Sequence, residues 1–127
     1  MQNDPIFLCH NARRFFEGAH GDNDARLYFL AISIELSLKA YLRHQGWTDS
    51  EAKRLFGHNI IKASTAAQSR GLELPDIGGR GILATISLYY VRGGFRRCRS
   101  VEWPQSLVLE VASYALDLNE RVRQCVV

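Results

Sequence analysis

Three side chains in the first half of the sequence have residue types that could support acid–base chemistry. Glu35 and Lys39 are four positions apart, which places them on the same side of a helix, and His58 comes directly after Gly57. A histidine can exchange a proton near neutral pH, and a neighbouring carboxylate can decide which ring nitrogen carries it. The alternative is structural, with Glu35 paired to Lys39 and either His58 or Asn59 capping a helix. We favour the structural interpretation because no nucleophile or second base accompanies these residues.

A second candidate site is the basic segment at 92–99, RGGFRRCR, in which four residues are arginine. Glycine allows a backbone to approach a phosphate, arginine offers paired donors, and a phenylalanine ring can stack on a base. The residues predicted to bind nucleotide or RNA are Arg92, Phe95, Arg96, Arg97 and Arg99. The alternative is a solvated loop whose arginines pair with acids such as Glu102 or Glu120.

Other short patterns do not complete a known kind of site. The Gly-Gly-Arg-Gly stretch at 78–81 lacks the Lys-Ser/Thr of a phosphate-binding loop and follows no predicted strand, so we interpret it as a flexible connection. Asp22 and Asp24 resemble a calcium loop only superficially and are interpreted as helix caps. The cysteines are odd in number and far apart, which predicts free thiols rather than a disulfide or a zinc site: Cys9, Cys98 and Cys125. We therefore expect no metal and no cofactor.

The composition is that of one folded domain. The 127 residues are 46% hydrophobic and 23% charged, and the net charge of +3 is modest although arginine is concentrated in one segment. No apolar run reaches the roughly 18 residues that a membrane helix needs. The first residues lack the charged and apolar regions of a secretory signal. We therefore expect a single cytoplasmic domain covering residues 1–127.

The candidate residues depend on a long predicted helix from Asp22 to Gln45, which Gly46 closes. One apolar set has the spacing of a single helical face: Leu27, Leu30, Ala31, Ile34, Leu38, Tyr41 and Leu42. A second set with the same spacing lies beside the first: Phe29, Ile32, Leu36 and Ala40. Because apolar residues occupy more than one side, this helix is predicted to lie at the centre of a bundle.

Two shorter helices precede and follow the long one. Asp4 caps a first helix that ends at Gly18, and a capping box of Thr48 and Glu51 begins a helix that ends at Phe56. Each cap provides an acceptor for backbone N–H groups that have no partner in the first helical turn. The connections between these helices are predicted to be short.

The second half of the sequence predicts three further helices separated by glycine-rich loops. His58 opens a helix that stops at Gly71, and Pro104 begins the final helix. Between them, the segment 82–92 has helical spacing; its β-branched residues leave a strand as the alternative, although no other segment offers that strand a partner. The complete prediction is an all-α, up-and-down bundle of five to six helices with a long central helix.

Three stretches of the sequence carry a family resemblance: AISIELSLKAYLRHQG at 31–46, FGHNIIKASTAAQSRGL at 56–72 and LYYVRGGFR at 88–96. Together they resemble the HEPN domain family, named for higher eukaryotes and prokaryotes nucleotide-binding. That family typically has an acid and a lysine in one helix, followed by a Gly-His-Asn or Gly-His-Asp start of the next helix. The matching positions here are Glu35, Lys39, Gly57, His58 and Asn59.

The resemblance implies a bundle of four or five helices that is frequently a homodimer. In bacteria such domains are often encoded beside a minimal nucleotidyltransferase or within toxin–antitoxin and phage-defence systems. Many members are metal-independent ribonucleases that carry an arginine, four to six further residues and a histidine in a later helix. This sequence has no histidine after His58, and Arg14 with His20 matches the spacing only near the N-terminus.

The leading expectation is therefore a non-catalytic HEPN-like module that binds nucleotide, RNA or a partner protein through the arginine-rich segment. The alternative is a metal-independent ribonuclease with an atypical arginine and histidine pair, for which Arg14, His20 and His58 are the candidates. A third alternative is a structural subunit whose partner is a nucleotidyltransferase-like protein or an antitoxin. The Gly-Ser and paired aspartates of a nucleotidyltransferase are absent from this sequence, so a partner would supply that chemistry.

Overall fold

The computed structural model describes residues 4–55, 57–75, 84, 86, 87, 90 and 103–126. Most of these residues form helices: α1 is Pro5–Glu17, α2 is Asn23–His44, α3 is Asp49–Leu55, α4 is Ile60–Ser69 and α5 is Gln105–Val126. Positions 84, 86, 87 and 90 are also helical, and no described residue is in a strand. The predicted all-α class is confirmed, and at those four positions the segment 82–92 is helix rather than strand.

Side-chain caps begin the first three helices at or beside the predicted positions. The Asp4 carboxylate accepts a hydrogen bond from a backbone N–H of the first turn of α1 at 2.8 Å, and Asp22 does the same for α2 at 2.9 Å. Before α3, the Thr48 N–H donates to Glu51 at 3.0 Å and the Glu51 N–H donates to the Thr48 hydroxyl at 3.1 Å. The predicted capping box is therefore present, and Asp24 lies within the first turn of α2.

The start of α4 differs from the prediction. His58 does not open the helix, because the Asn59 side chain is the cap and accepts a hydrogen bond from the Lys62 N–H at 3.0 Å. The short amide of asparagine reaches back to the first-turn backbone more readily than an imidazole does. Gly57 has a φ of +50° and its N–H donates to the Lys53 carbonyl at 3.1 Å, which ends α3. His58 therefore lies in the turn, and its side chain is available for another contact.

Helix α2 packs against each of the other four helices. The whole predicted stripe from Leu27 to Leu42 is buried, and of the second predicted set Ala40 is buried while Phe29, Ile32 and Leu36 are half-buried. The apolar core contributed by the other helices includes Leu8, Ile60, Val108, Val111 and Leu118. Because α2 touches α1, α3, α4 and α5, it positions side chains that come from separate parts of the chain.

Hydrogen bonds between residues of different helices show the relative directions of those helices. The Ser33 hydroxyl of α2 donates to the Ala12 carbonyl of α1 at 2.6 Å, and Asn23 at the start of α2 donates to the Trp103 carbonyl just before α5 at 2.8 Å. Asn119, farther along α5, bonds to Ser33 of α2 as well. Helix α5 therefore runs parallel to α2, whereas α1, connected to α2 by a short loop, runs antiparallel to it. None of the described helices has the length and apolarity required to cross a membrane.

Three polar side chains lie together within this apolar core. Ser33, Ser37 and Asn119 are buried, and the Asn119 amide donates to both serine hydroxyls. The Ser33 hydroxyl donates a hydrogen bond to the Ala12 carbonyl of α1, so each of these polar side chains has a partner. Buried polar groups are costly without partners, so this set fixes how α1, α2 and α5 align.

Candidate functional site: a buried carboxylate with three donors

Glu35 of α2 is 5% exposed, and both of its carboxylate oxygens are engaged. Oε1 accepts a hydrogen bond from the Tyr90 hydroxyl at 2.8 Å and lies 2.7 Å from His58 Nδ1. Oε2 pairs with the Lys39 ammonium at 2.8 Å. A buried carboxylate is stabilised when donors surround it, and these three side chains fill that role. Glu35, Lys39, His58 and Tyr90 are called the Glu35 cluster below.

Three separate parts of the chain build the Glu35 cluster. Glu35 and Lys39 are one turn apart on α2, so they lie on the same side of that helix. His58 comes from the turn between α3 and α4, where the Asn59 cap leaves the imidazole free to meet Glu35. Tyr90 belongs to the helical residues that precede the arginine-rich segment. The Glu35 carboxylate thus connects His58 of the α3–α4 turn and Tyr90 to α2.

His58 is the exposed member of the cluster, with 65% of its side chain accessible. When Nδ1 donates to Glu35, the other ring nitrogen, Nε2, carries a lone pair and can accept a proton or a hydrogen bond. The Nε2 atom bonds to no residue in the described parts of the chain. One ring edge meets Tyr90, with ring centroids 5.6 Å apart and planes at 71°. The site therefore presents an oriented imidazole at the surface.

The pKa of Tyr90 is raised well above that of a free tyrosine. Burial is the main cause, followed by the negative charge of Glu35, the hydrogen bond to Glu35 and the neighbouring Tyr28. The phenol therefore stays protonated at neutral pH and remains a donor. In the sequence analysis Tyr90 belongs to the predicted helical segment 82–92 and to the resemblance at 88–96, and has no assigned role. The sequence around Tyr90 does not indicate a contact with Glu35, from which Tyr90 is separated by 55 positions.

Three other predicted site residues, Asn59, Arg14 and His20, do not belong to the Glu35 cluster. Asn59 caps α4 and does not join the Glu35 cluster. Arg14 on α1 and His20 in the loop after it are both exposed, and neither bonds to Glu35, Lys39 or His58. The structure therefore groups His58 with Glu35 and Lys39, and leaves the formal Arg14 and His20 pair outside that group.

The predicted nucleotide-binding residues lie outside the described residues: Arg92, Phe95, Arg96, Arg97 and Arg99. The same holds for Cys98, for Glu102 and for the glycine-rich stretch at 78–81. The remaining suggested acidic partner, Glu120, already pairs with Arg13 at 2.8 Å and with Arg123 at 3.2 Å. Those two contacts occupy both oxygens of the carboxylate.

A groove of about 430 Å³ lies between α1 and α5. Its charged walls are largely paired with each other through Arg13, Glu120 and Arg123. Burial raises the pKa of the Cys9 thiol in this groove to about 11, so the thiol is protonated at neutral pH. Among the described residues, no group of three histidine, cysteine, aspartate or glutamate side chains could hold a metal ion. The groove is also lined by His10, for which no bond to a described carboxylate is seen, in contrast to the bond between His58 and Glu35.

Comparisons with known proteins add no relatives. A scan of protein-family models, a search of curated proteins and a search of solved structures each found no match to this chain. The fold and the site define an all-α helical bundle with a buried carboxylate that is bonded to a lysine, a tyrosine and an exposed histidine.

Proposed function

We propose that this chain is a HEPN-like binding module that binds the phosphates of nucleotide or RNA through its arginine-rich segment. The observation that carries the proposal is the hydrogen bond from Tyr90 to Glu35. Tyr90 is two positions before Arg92, and two residues of chain span at most about 7 Å. This closeness in sequence supports a common ligand for the arginine-rich segment and the exposed His58.

The residue types in this region suit a phosphate ligand. Arginine holds phosphate through two parallel hydrogen bonds, and the glycines at 93 and 94 remove side chains that would keep a ligand from the backbone. Phe95 and His58 provide rings on which a base can stack. Glu35 does not repel a phosphate strongly, because it is buried and its charge is balanced by Lys39.

Two double variants with equal change of charge test the proposal. Arg96→Glu with Arg97→Glu is expected to abolish binding of a fluorescein-labelled single-stranded RNA, as measured by fluorescence anisotropy. Arg70→Glu with Arg123→Glu is the matched control, since these exposed arginines lie on α4's C-terminal cap and on α5. Circular dichroism checks that both variants keep their helices. Equal binding by the two variants would remove the arginine-rich segment from the proposal.

The oriented imidazole supports a second candidate function, a metal-independent ribonuclease. RNA carries its own nucleophile, the 2′-hydroxyl, so an enzyme needs a base to take that proton and an acid to protonate the leaving 5′-oxygen. His58, held by Glu35 at 2.7 Å, is suited to the role of base. Among the described residues, the side chains that contact His58 are Glu35 and Tyr90, and these are hydrogen-bonded to each other. No group is therefore assigned to the role of acid, and binding remains the first proposal.

Incubation of the purified protein with RNA in EDTA separates the two functions. A ribonuclease of this kind would cleave RNA without metal, lose that cleavage in His58→Ala and keep it in His20→Ala. Glu35→Gln would reduce cleavage while His58 is still present, because the imidazole would lose its orienting charge. Intact RNA with the wild-type protein supports the binding module.

The resemblance also directs the proposals about assembly. A HEPN-like module of a toxin–antitoxin or defence system would act in the cytoplasm as a homodimer, or beside an antitoxin or nucleotidyltransferase-like partner. Multi-angle light scattering of the purified chain measures the mass directly. A mass near twice 14.4 kDa supports the homodimer, and a mass near 14.4 kDa argues against it.

A further inference from the structure

The turn between α3 and α4 carries a second basic surface, which lies entirely on described residues. Lys53 and Arg54 are in the last turn of α3, His58 is in the connection, and Lys62 is in the first turn of α4. All four side chains are exposed. The sequence has no aspartate or glutamate from Ala52 to Leu72. We call Lys53, Arg54, His58 and Lys62 the α3–α4 basic surface.

The cations of this surface are unpaired, which sets them apart from most of the basic residues on the other helices. Lys53, Arg54 and Lys62 make no ion pair with a described carboxylate. Elsewhere, the described arginines on α1, α2 and α5 that do form ion pairs are Arg13, Arg43, Arg121 and Arg123. The carboxylate closest to His58, Glu35, is buried and neutralised by Lys39. The charge of Glu51 on α3 interacts with that of Arg54, but Lys53, Arg54 and Lys62 together outnumber it, so this face keeps a net positive charge.

We infer that the α3–α4 basic surface is a binding surface for single-stranded RNA, an inference that rests on the proposed function and extends its ligand contacts to this face. Unpaired exposed cations attract the phosphate backbone, and each phosphate contact releases counterions. The exposed ring of His58, supported at its edge by Tyr90, gives a base a surface for stacking. A surface that combines exposed cations with an exposed ring suits a single strand better than a carboxylate-rich protein.

Neutralising variants test the inference. Lys53→Gln, Arg54→Gln and Lys62→Gln together are expected to weaken binding of a labelled single-stranded RNA of about 20 nucleotides by about tenfold or more. The slope of log affinity against log salt should fall by about 2, since each lost phosphate contact removes about 0.7. The matched control is Arg14→Gln, Arg70→Gln and Arg123→Gln, which removes the same charge from exposed sites that are not part of the α3–α4 basic surface. The control should change affinity by less than about threefold.

The outcomes separate this inference from the proposed function. If the α3–α4 triple variant binds like the wild type while Arg96→Glu with Arg97→Glu does not bind, the inference fails and the proposed function stands. If both triple variants weaken binding equally, the effect is one of total charge and the inference fails. If wild-type protein binds polyglutamate but not RNA, both proposals fail, and an acidic protein is the better ligand for this surface. The single variant Lys62→Gln, with an expected slope change of about 0.7, repeats the test if the triple variant does not fold.

Discussion

His58 Nδ1 lies 2.7 Å from Oε1 of Glu35, across a separation of 23 positions in the sequence. This contact joins an exposed imidazole to a buried carboxylate on α2, which touches the other four described helices. The same oxygen accepts the Tyr90 hydroxyl, so one atom of α2 holds two distant segments. The contacts of Glu35 therefore combine a structural role with the orientation of a titratable group at the surface.

Loss of the carboxylate should destabilise the fold. Glu35→Ala removes partners from Lys39, His58 and Tyr90, and is expected to lower the free energy of unfolding by about 2–4 kcal/mol. The estimate is below that for a fully buried charge pair because His58 is largely exposed to water. Urea unfolding followed by circular dichroism measures it. Glu51→Ala, which removes a carboxylate of the capping box, is the control and should lower the free energy of unfolding by less. Equal decreases for the two variants would show that the contacts of Glu35 add no more stability than a helix cap.

The hydrogen bond of the half-buried Tyr90 can be compared with that of the buried Tyr41. Tyr90→Phe removes a hydrogen bond to a charged acceptor and is expected to cost about 1.5–3 kcal/mol of unfolding free energy. Tyr41→Phe removes a hydrogen bond of 2.7 Å to a neutral carbonyl and is expected to cost about 1 kcal/mol. Parallel urea titrations compare them. A smaller loss for Tyr90→Phe than for Tyr41→Phe would contradict the placement of Tyr90 on Glu35.

The buried polar group between α1, α2 and α5 should be sensitive to substitution. Asn119→Ala leaves Ser37 without its amide donor and opens a cavity, so it is expected to cost about 2–3 kcal/mol. Thr65→Ala is a control, because the Thr65 hydroxyl is exposed and bonds only within its own helix. Thermal denaturation of the two variants checks the difference. Matching melting temperatures would mean that the core tolerates the loss of this polar group.

Acid should weaken the contact between α1 and α5. Hydrogen bonds from Arg13 and Arg123 lower the pKa of Glu120 in the folded state, so the carboxylate binds a proton less readily there than in the unfolded chain. This contribution to stability is present above the ordinary carboxyl pKa of 4.5 and is lost as pH falls through the lower folded value. Urea unfolding from pH 7 to pH 3 should show a shallower pH dependence for Glu120→Gln. Identical curves for the variant and the wild type would exclude this contribution.

Local features of the fold were predictable from sequence, because each depends on residues within one helical turn. The caps at Asp4 and Asp22, and the capping box of Thr48 and Glu51, follow from backbone groups that need partners nearby. The buried stripe of α2 follows from helical spacing alone. These features explain why the helical class and the first three helix starts were predicted closely.

Contacts between distant residues were harder to predict. Ser33 and Ser37 belong to neither predicted apolar set of α2, yet both are buried, and Asn119, more than 80 positions later, donates hydrogen bonds to them. Tyr90 reaches Glu35 across 55 positions. A polar residue on a helix is consistent with either solvent or a buried partner, and only packing decides between them. The cluster of Glu35, Lys39 and His58 was a candidate because a family resemblance grouped these residues.

The most direct test of the central proposal is a nuclear magnetic resonance titration of the histidine side chains with single-stranded RNA. The chain has four histidines, His10, His20, His44 and His58, so three of them serve as internal controls. If RNA binds beside the Glu35 cluster, the ring nitrogen signals of His58 should shift with increasing RNA while those of the other three remain in place. If the His58 signals stay unchanged when the protein is saturated with RNA, the proposal is contradicted. The absence of any RNA binding would contradict it as well.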